Sequence, residues 1–466
     1  LGLILSFWIN DFVARFKLPT DIPIVFNLAI DWRVISFTFA LSIFTGIFFG
    51  LLPALQASKT DLIAALKDET SIGKFSRSWL RNLLVIAQIA LSLLLLVSSG
   101  LIIHGLQKAQ TLRPGFEPSN VASVSFDLTL QGYDKEKGKV FYSKAIELAK
   151  SLPSIESATL VNSLPLSLDF SSTAIYIEGQ TIAKSTDLPL AVPYNVYPEY
   201  FQTMGVSLRG RDFTENDKNE DSRVAVVNET FARRFFSGED AIGKRFNFSG
   251  PENPYWTIIG VCADGKYNSL NEEQKLAIYL PMLRNYTAPV TLIIKTKSNP
   301  ENVLASLREK LQPLDRALPF YDAKTLKQHL NLPLFPAKIA ATILSSFAIL
   351  ALILAAIGIY GTMSYVVSQR SREMGIRIAL GAKTSDILKM IVGQAMKLVV
   401  VGLVLGLIAA YSLTQFLSSL LYGVSATDPL TFIIVLVLLT LIALVACLVP
   451  AIRAAKTDPM VVLRQS

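Results

Sequence analysis

The chain has 466 residues, 51% of them hydrophobic and only 17% charged, with a formal net charge of +8. Soluble domains carry about a quarter charged residues; here the apolar residues gather toward the two ends around a polar middle, which excludes a soluble enzyme. The positive excess admits nucleic acid or anionic lipid as partners, but no basic cluster interleaved with aromatics favours nucleic acid.

The amino-terminal stretch Leu1 to Phe12 (LGLILSFWINDF) is too short to cross a bilayer and reads as the end of a helix in a chain that lacks its amino-terminal part. Residues 13–33 form a mixed loop, and Val34 to Leu55 is apolar for long enough to cross. The following segment, Pro53 to Glu69, has Asp61 as a helix cap and recurs near the carboxyl end as Pro450 to Arg464. The copies share Pro53/Pro450, Ala54/Ala451, Ala57/Ala454, Lys59/Lys456, Thr60/Thr457, Asp61/Asp458 and Leu66/Leu463 at one fixed offset, and Asp31/Asp428 precede both spans. Such a repeat implies two related membrane units, the first incomplete. Lys67 to Arg81 is a basic linker, and Asn82 to His104 is the next span, with Gln88 and several serines able to hydrogen-bond between helices or within their own.

Residues 107–333 read as soluble and mixed α/β. Strands are expected at 121–130, 157–161, 174–178, 223–227, 256–262, 277–280 and 291–296, and helices at 135–150, 198–204, 229–236, 301–311 and 323–330. A long span follows at Lys338 to Val367, then an amphipathic stretch at Asp386 to Lys397, a span at Leu398 to Leu421, a loop free of Lys and Arg, and a span at Leu430 to Val449. The basic loops at 67–81, 370–389 and 453–464 lie inside by the positive-inside rule, which places the polar middle outside; Arg15, Lys17 and Arg33 run against this bias.

Ser368 to Ala382 (SQRSREMGIRIALGA) sits between two spans. Met374, Ile376, Ile378 and Leu380 alternate with Glu373, Gly375, Arg377 and Ala379; Gly381 can close a short helix, and Thr384 or Ser385 can cap the next. A plain tether between membrane helices needs neither an ordered break nor apolar residues among its charges, so the pattern points to a docking element for a soluble partner.

Other motifs carry less. Gly238 to Arg245 nearly spells a P-loop, but Arg245 replaces the hydroxyl that holds Mg²⁺ and a helix precedes it where a strand is needed; it reads as a surface turn. Asn228, Asn247 and Asn285 begin sequons, relevant only in a glycosylating host. The two cysteines, Cys262 and Cys447, fall in different compartments; they and the distant His104 and His329 suggest no disulfide, metal or cofactor.

The run RSREMGIRIALGA resembles the coupling-helix signature of FtsX-type permeases, the membrane subunits of MacB-like ABC transporters, at Arg370, Glu373, Gly375, Ile376, Arg377, Ala379, Leu380 and Gly381. Two further stretches, YPEYFQTMGVSLRGRDF from Tyr197 and VAVVNETFARRFF from Val224, are similar to the extracytoplasmic domain of that family. The resemblance implies an α-helical membrane protein with long transmembrane helices plus a mixed α/β extracytoplasmic domain. Its divisions fall at 1–69 (end of a first membrane unit), 70–106 (linker and first helix of the second), 107–333 (periplasmic domain) and 334–466 (membrane unit with the coupling segment). Within the periplasmic domain a porter-like part is expected at about 107–190 and 278–333, with a subdomain inserted at about 191–277.

The family's ATPase-coupling role would fall on Arg370, Glu373, Met374, Gly375, Ile376, Arg377 and Gly381. Glu373 and Arg377 would make polar contacts with the ATPase, while Met374, Ile376 and Ile378 would fill its groove. The implied protein is not itself an enzyme. It is a permease that couples hydrolysis on a separate ATP-binding subunit to movement of the outer domain, in a bacterial inner membrane, with membrane lipid and a periplasmic adaptor as further partners and no nucleic acid. Regulation of cell-wall hydrolases, or release of lipoproteins, is the alternative the same resemblance allows.

Overall fold

The computed structural model describes residues 32–58, 72–109, 111–167, 169, 171–179, 188–219, 222–248, 250, 252–369, 373–374, 376–377, 380, 382–417 and 420–455. The expected helix end at Leu1 to Phe12, the cap at Asp61 and the far end of the second repeat copy lie outside these residues. Helix α1 (Trp32–Ser58) and helix α2 (Ile72–Ala109) come first, then strand β1 (Val121–Asp127), α3 (Lys135–Lys150), β2 (Ile155–Val161), β3 (Thr173–Ile177) and β4 (Leu190–Val196). These are followed by α4 (Tyr200–Met204), β5 (Leu208–Gly210), β6 (Val224–Asn228), α5 (Glu229–Phe235), β7 (Arg245–Phe248), β8 (Trp256–Cys262) and β9 (Leu276–Pro281). The chain closes with β10 (Pro289–Thr296), α6 (Pro300–Leu311), β11 (Tyr321–Thr325), α7 (Leu326–His329), α8 (Asn331–Gln369), α9 (Thr384–Phe416) and α10 (Pro429–Ala455). The described residues form two compact units, one of residues 32–107 with 337–455 and one of residues 108–336.

Among the described residues, four helices are long and apolar enough to cross a membrane: Asn82–Ala109, Asn331–Gln369, Ser385–Phe416 and Pro429–Arg453. The repeat read from the sequence has a structural counterpart, since α1 and α10 both run 27 residues between equivalent positions of the two copies. Two expectations are corrected. Residues 72–81, read as linker, continue α2 as helix, and the amphipathic stretch and the span read apart at 386–421 are one helix that ends at Phe416. That helix starts after Lys383, whose backbone N–H donates to the Asp386 carboxylate at 3.3 Å, so the carboxylate serves the cap in place of Thr384 or Ser385.

Within the membrane unit, α10 buries every fourth residue, from Val435 through Leu439, Ala443 and Cys447 to Ala451. Gly402 and Gly406 of α9 let α2 approach closely: a Cβ on Gly406 would lie 3.0 Å from the Ala90 backbone. This is the small-xxx-small solution to packing where lipid offers no hydrophobic gain. Two of the α2 serines bond as the sequence suggested. Ser92 donates to the Gln88 carbonyl of its own helix at 2.7 Å, and Ser99 of α2 meets Ser345 of α8 at 2.6 Å.

The outer unit is built on an 11-stranded sheet in the order β11-β1-β10-β2-β4-β3-β7-β8-β6-β9, with β5 on β8 and a parallel pairing of β4 with β9. It carries two cores. One gathers Phe126, Phe141, Leu160, Leu292 and Leu307 from β1, α3, β2, β10 and α6. The other gathers Ile175, Ala191, Val227, Phe231, Phe246 and Ile258 from β3, β4, β6, α5, β7 and β8. Local chemistry sets the helix ends. Asp134 caps α3 by accepting from the Lys137 N–H at 2.8 Å, and α6 opens with Asn299 as cap and Pro300 at its first position. The helix expected over 323–330 is instead β11 followed by the single turn α7, because 321–325 adds an edge strand to β1.

Two carboxylates bind the outer unit together. Asp264 accepts from Asn228 Nδ2, the Thr230 N–H, the Thr230 hydroxyl and Arg233 Nη2, at 2.7–2.9 Å. Asp217 takes both arms of the Arg211 guanidinium at 2.8 and 3.0 Å and the Thr214 N–H at 2.9 Å. Burial alone would raise the Asp217 carboxyl, but Arg211 and Thr214 hold it below its ordinary range.

Candidate functional site

Residues 373, 374, 376 and 377 are helical and lie between α8 and α9. The Leu380 N–H donates to the Ile376 carbonyl at 3.0 Å, and the Ala382 N–H to the Arg377 carbonyl at 2.9 Å. The second bond has the spacing of a helix-terminating motif. Arg370, Gly375, Ile378 and Gly381 lie outside the described residues.

Helical geometry sorts the remaining side chains. Two helical residues apart is about 200° of rotation, so Met374 and Ile376 face opposite ways, whereas Ile376 and Leu380, four apart, share a face. Met374 is buried among Val85 and Ile89 of α2, Ile359 and Met363 of α8, Ile387 and Ile391 of α9 and Cys447 of α10. It does not project outward as the groove-filling expectation required; it anchors the turn in this chain's own core. Ile376 is 45% exposed and Leu380 81% exposed. Leu380 belongs to the signature but not to the expected site residues; an apolar residue at a polar helix end is the available signal.

Glu373 and Arg377 pair with each other at 2.7 Å, and the second arm of Arg377 reaches the Met390 sulfur of α9 at 2.9 Å. An exposed pair of this i,i+4 kind contributes about 0.3–0.5 kcal/mol. A partner could therefore exchange it for its own contacts at little cost. On α10, Arg453 donates to the Tyr360 hydroxyl of α8 at 3.2 Å. The turn thus joins an exposed apolar tip and an exposed ion pair to a rigid anchor shared by four membrane helices.

The other sequence candidates resolve to structure. At the P-loop-like stretch, Lys244 is ion-paired with Glu239, and Arg245 begins β7 and pairs with Glu178. The segment is a turn leading into a strand, as read. Asn228 and Asn247 are fully buried, which closes both sequons. Both cysteines are free and buried, and among the described residues no group of three His, Cys, Asp or Glu could hold a metal.

Spans and outer domain together define a multi-pass membrane protein with a large extracytoplasmic α/β domain. Residues 83–312 match the MacB-like periplasmic core domain and residues 345–459 the FtsX-like permease C-terminal domain. The chain belongs to the MacB/FtsX family of ABC transporter permeases. Among curated relatives, the macrolide export ATP-binding/permease protein MacB of Neisseria gonorrhoeae is 28% identical over 311 residues, covering 63% of this chain and 47% of the relative. The uncharacterized ABC transporter permease YvrN of Bacillus subtilis is 24% identical over 359 residues, covering 72% of this chain and 83% of that one. The chain thus spans about half the length of the MacB relatives it matches. The crystal structure of the periplasmic region of MacB from Actinobacillus actinomycetemcomitans aligns with 44% of this chain and 89% of its own, at 19% identity and a TM-score of 0.30.

Proposed function

We propose that this chain is the permease of an ABC-type complex whose ATPase is a separate subunit, and that the turn at 373–380 is where the two dock. The carrying observation is the division of labour within that turn: Met374 is locked into the helical core while Ile376 and Leu380 stand in solvent one turn apart. An exposed apolar pair beside exchangeable charges fits a groove on a soluble partner, because hot spots form where an apolar anchor enters a pocket ringed by polar contacts. The anchor makes the tip mechanically useful. A push on Ile376 and Leu380 reaches α2, α8, α9 and α10 through one packed cluster, and packed clusters transmit displacement rather than absorb it. Of these helices, α2 and α8 lead into the outer domain, so ATP-driven movement of the tip would be delivered outside the membrane. This reading extends to mechanotransmission or export, with a periplasmic adaptor and the surrounding lipid as further partners.

The test is co-purification of the chain with ATP-binding proteins of its host, identified by mass, from membranes, with and without a charge at residue 380. Retention of the ATPase by both forms would remove the docking assignment.

A further inference from the structure

The outer end of α2 meets the start of α10 and the loop before it at three successive levels. At the first, Gly100 lies against Thr431, so closely that a Cβ there would stand 2.9 Å from the threonine methyl. At the second, His104 Nδ1 lies 3.3 Å from Asp428 Oδ2. At the third, Gly105 packs on the chain at Leu421 and Tyr422, where an added Cβ would be 3.1 Å from the Tyr422 nitrogen. The two glycines permit close approach, but a glycine holds nothing. His104 and Asp428 make a directional contact between the two helix ends.

Asp428 is fixed before His104 reaches it. Its carboxylate accepts from the Thr431 hydroxyl at 2.7 Å and the Thr431 N–H at 3.1 Å, which caps α10. The Thr431 hydroxyl foremost, against the opposing effect of burial and with help from the Thr431 N–H and His104, holds that carboxyl below its ordinary range. The acceptor is therefore a preoriented carboxylate, 19% exposed, and the histidine beside it is 37% exposed. At this level α2 is only a few residues from its end at Ala109, where the chain passes into the outer domain.

We propose that His104 and Asp428 form a latch that holds the outer ends of α2 and α10 together, and that opening it frees α2 to move. The close approaches at Gly100 and Gly105 are van der Waals contacts, whereas the His104–Asp428 contact has a direction. The latch is a property of the membrane unit alone and stands whether or not the turn at 373–380 docks an ATPase.

A cross-linking reporter tests it. Ile103→Cys with Leu430→Cys, exposed positions beside His104 and Asp428, in the full chain in native membranes, is treated with a flexible bismaleimide, and the initial rate of cross-linking reports how often the ends are together. Against the parent pair, His104→Ala should cross-link about five-fold more slowly, equivalent to about 1 kcal/mol, the scale of an interhelical hydrogen bond. Asp428→Asn should also slow the reaction while keeping α10 capped, since asparagine caps as aspartate does. His104→Gln, which retains a donor, should return to within about two-fold of the parent. Membrane yield is measured for each; if His104→Ala fails to insert, Asp428→Asn decides the matter. Parent-like rates in the inserted variants would overturn the latch.

Discussion

Replacing Leu380 with aspartate separates docking from folding more cleanly than any other single change in the turn. Leu380 is 81% exposed and makes no core contact, so its loss should cost under about 0.5 kcal/mol of stability. If it enters a groove on an ATPase, the same change forfeits the burial of a leucine, about 1.5–3 kcal/mol. It also places a charge in an apolar pocket. At 1.4 kcal/mol per factor of ten, docking should weaken at least about 10- to 100-fold. Met374→Ala is the matched control. Met374 is 3% exposed, and emptying a buried methionine site costs about 2–5 kcal/mol, so that variant should lose membrane yield or melt early. The assay is membrane yield, thermal melting in detergent and co-purified ATPase for each variant. The reasoning fails if Leu380→Asp retains the ATPase and its turnover at parent levels, or if it melts as early as Met374→Ala.

Three further outcomes follow from the outer unit. His329 is 2% exposed, with Nε2 donating to the Pro165 carbonyl at 2.8 Å; burial first, then the nearby Lys324 charge, push its pKa down to about 4. The unfolded chain takes up this proton near 6.5 and the folded chain only near 4, so this contribution to stability is intact above about 6.5 and lost as pH falls toward 4, by up to about 3 kcal/mol. Urea midpoints of the full chain across that range, beside His329→Gln, check it: a pH-independent difference between the two would refute it. Asp264→Ala removes the acceptor of four hydrogen bonds and leaves the buried Asn228 amide half-satisfied, so a loss of about 2–3 kcal/mol is expected; an unchanged melting curve would contradict it. Lys244→Ala should leave ATP turnover of the assembled complex unchanged, because Lys244 only pairs with Glu239 at a surface turn; a loss like that of a Walker lysine variant would restore the P-loop reading.

Much of the outer fold was legible because its strands alternate and its helices carry caps. The spans 135–150 for α3 and 256–262 for β8 were read to the residue. Strands β4 and β7 escaped notice for local reasons. Pro193 interrupts the β4 pattern, and β7 is four residues directly behind the glycine-rich turn. Strand β11 was taken for helix because an edge strand shows half a pattern, one side paired to β1 and the other open.

At the turn, the sequence marks a patterned segment but not the directions of its side chains. The alternation of Met374, Ile376 and Ile378 groups three apolar residues among charges, and the family resemblance assigns all three to the partner. In a helical turn the same spacing splits them. Met374 goes to the core, and the solvent face passes to Ile376 and Leu380. The Glu373–Arg377 pair likewise depends on helical spacing, which brings residues four apart together.

The most direct test of the docking assignment is photo-cross-linking in the cell. A benzophenone amino acid placed singly at 374, 376 and 380 would be irradiated in intact membranes and its adducts identified by mass. The account predicts an adduct to an ATP-binding protein from 376 and 380, and only intrachain adducts from 374. Adducts to lipid or to this chain alone from 376 and 380 would contradict it.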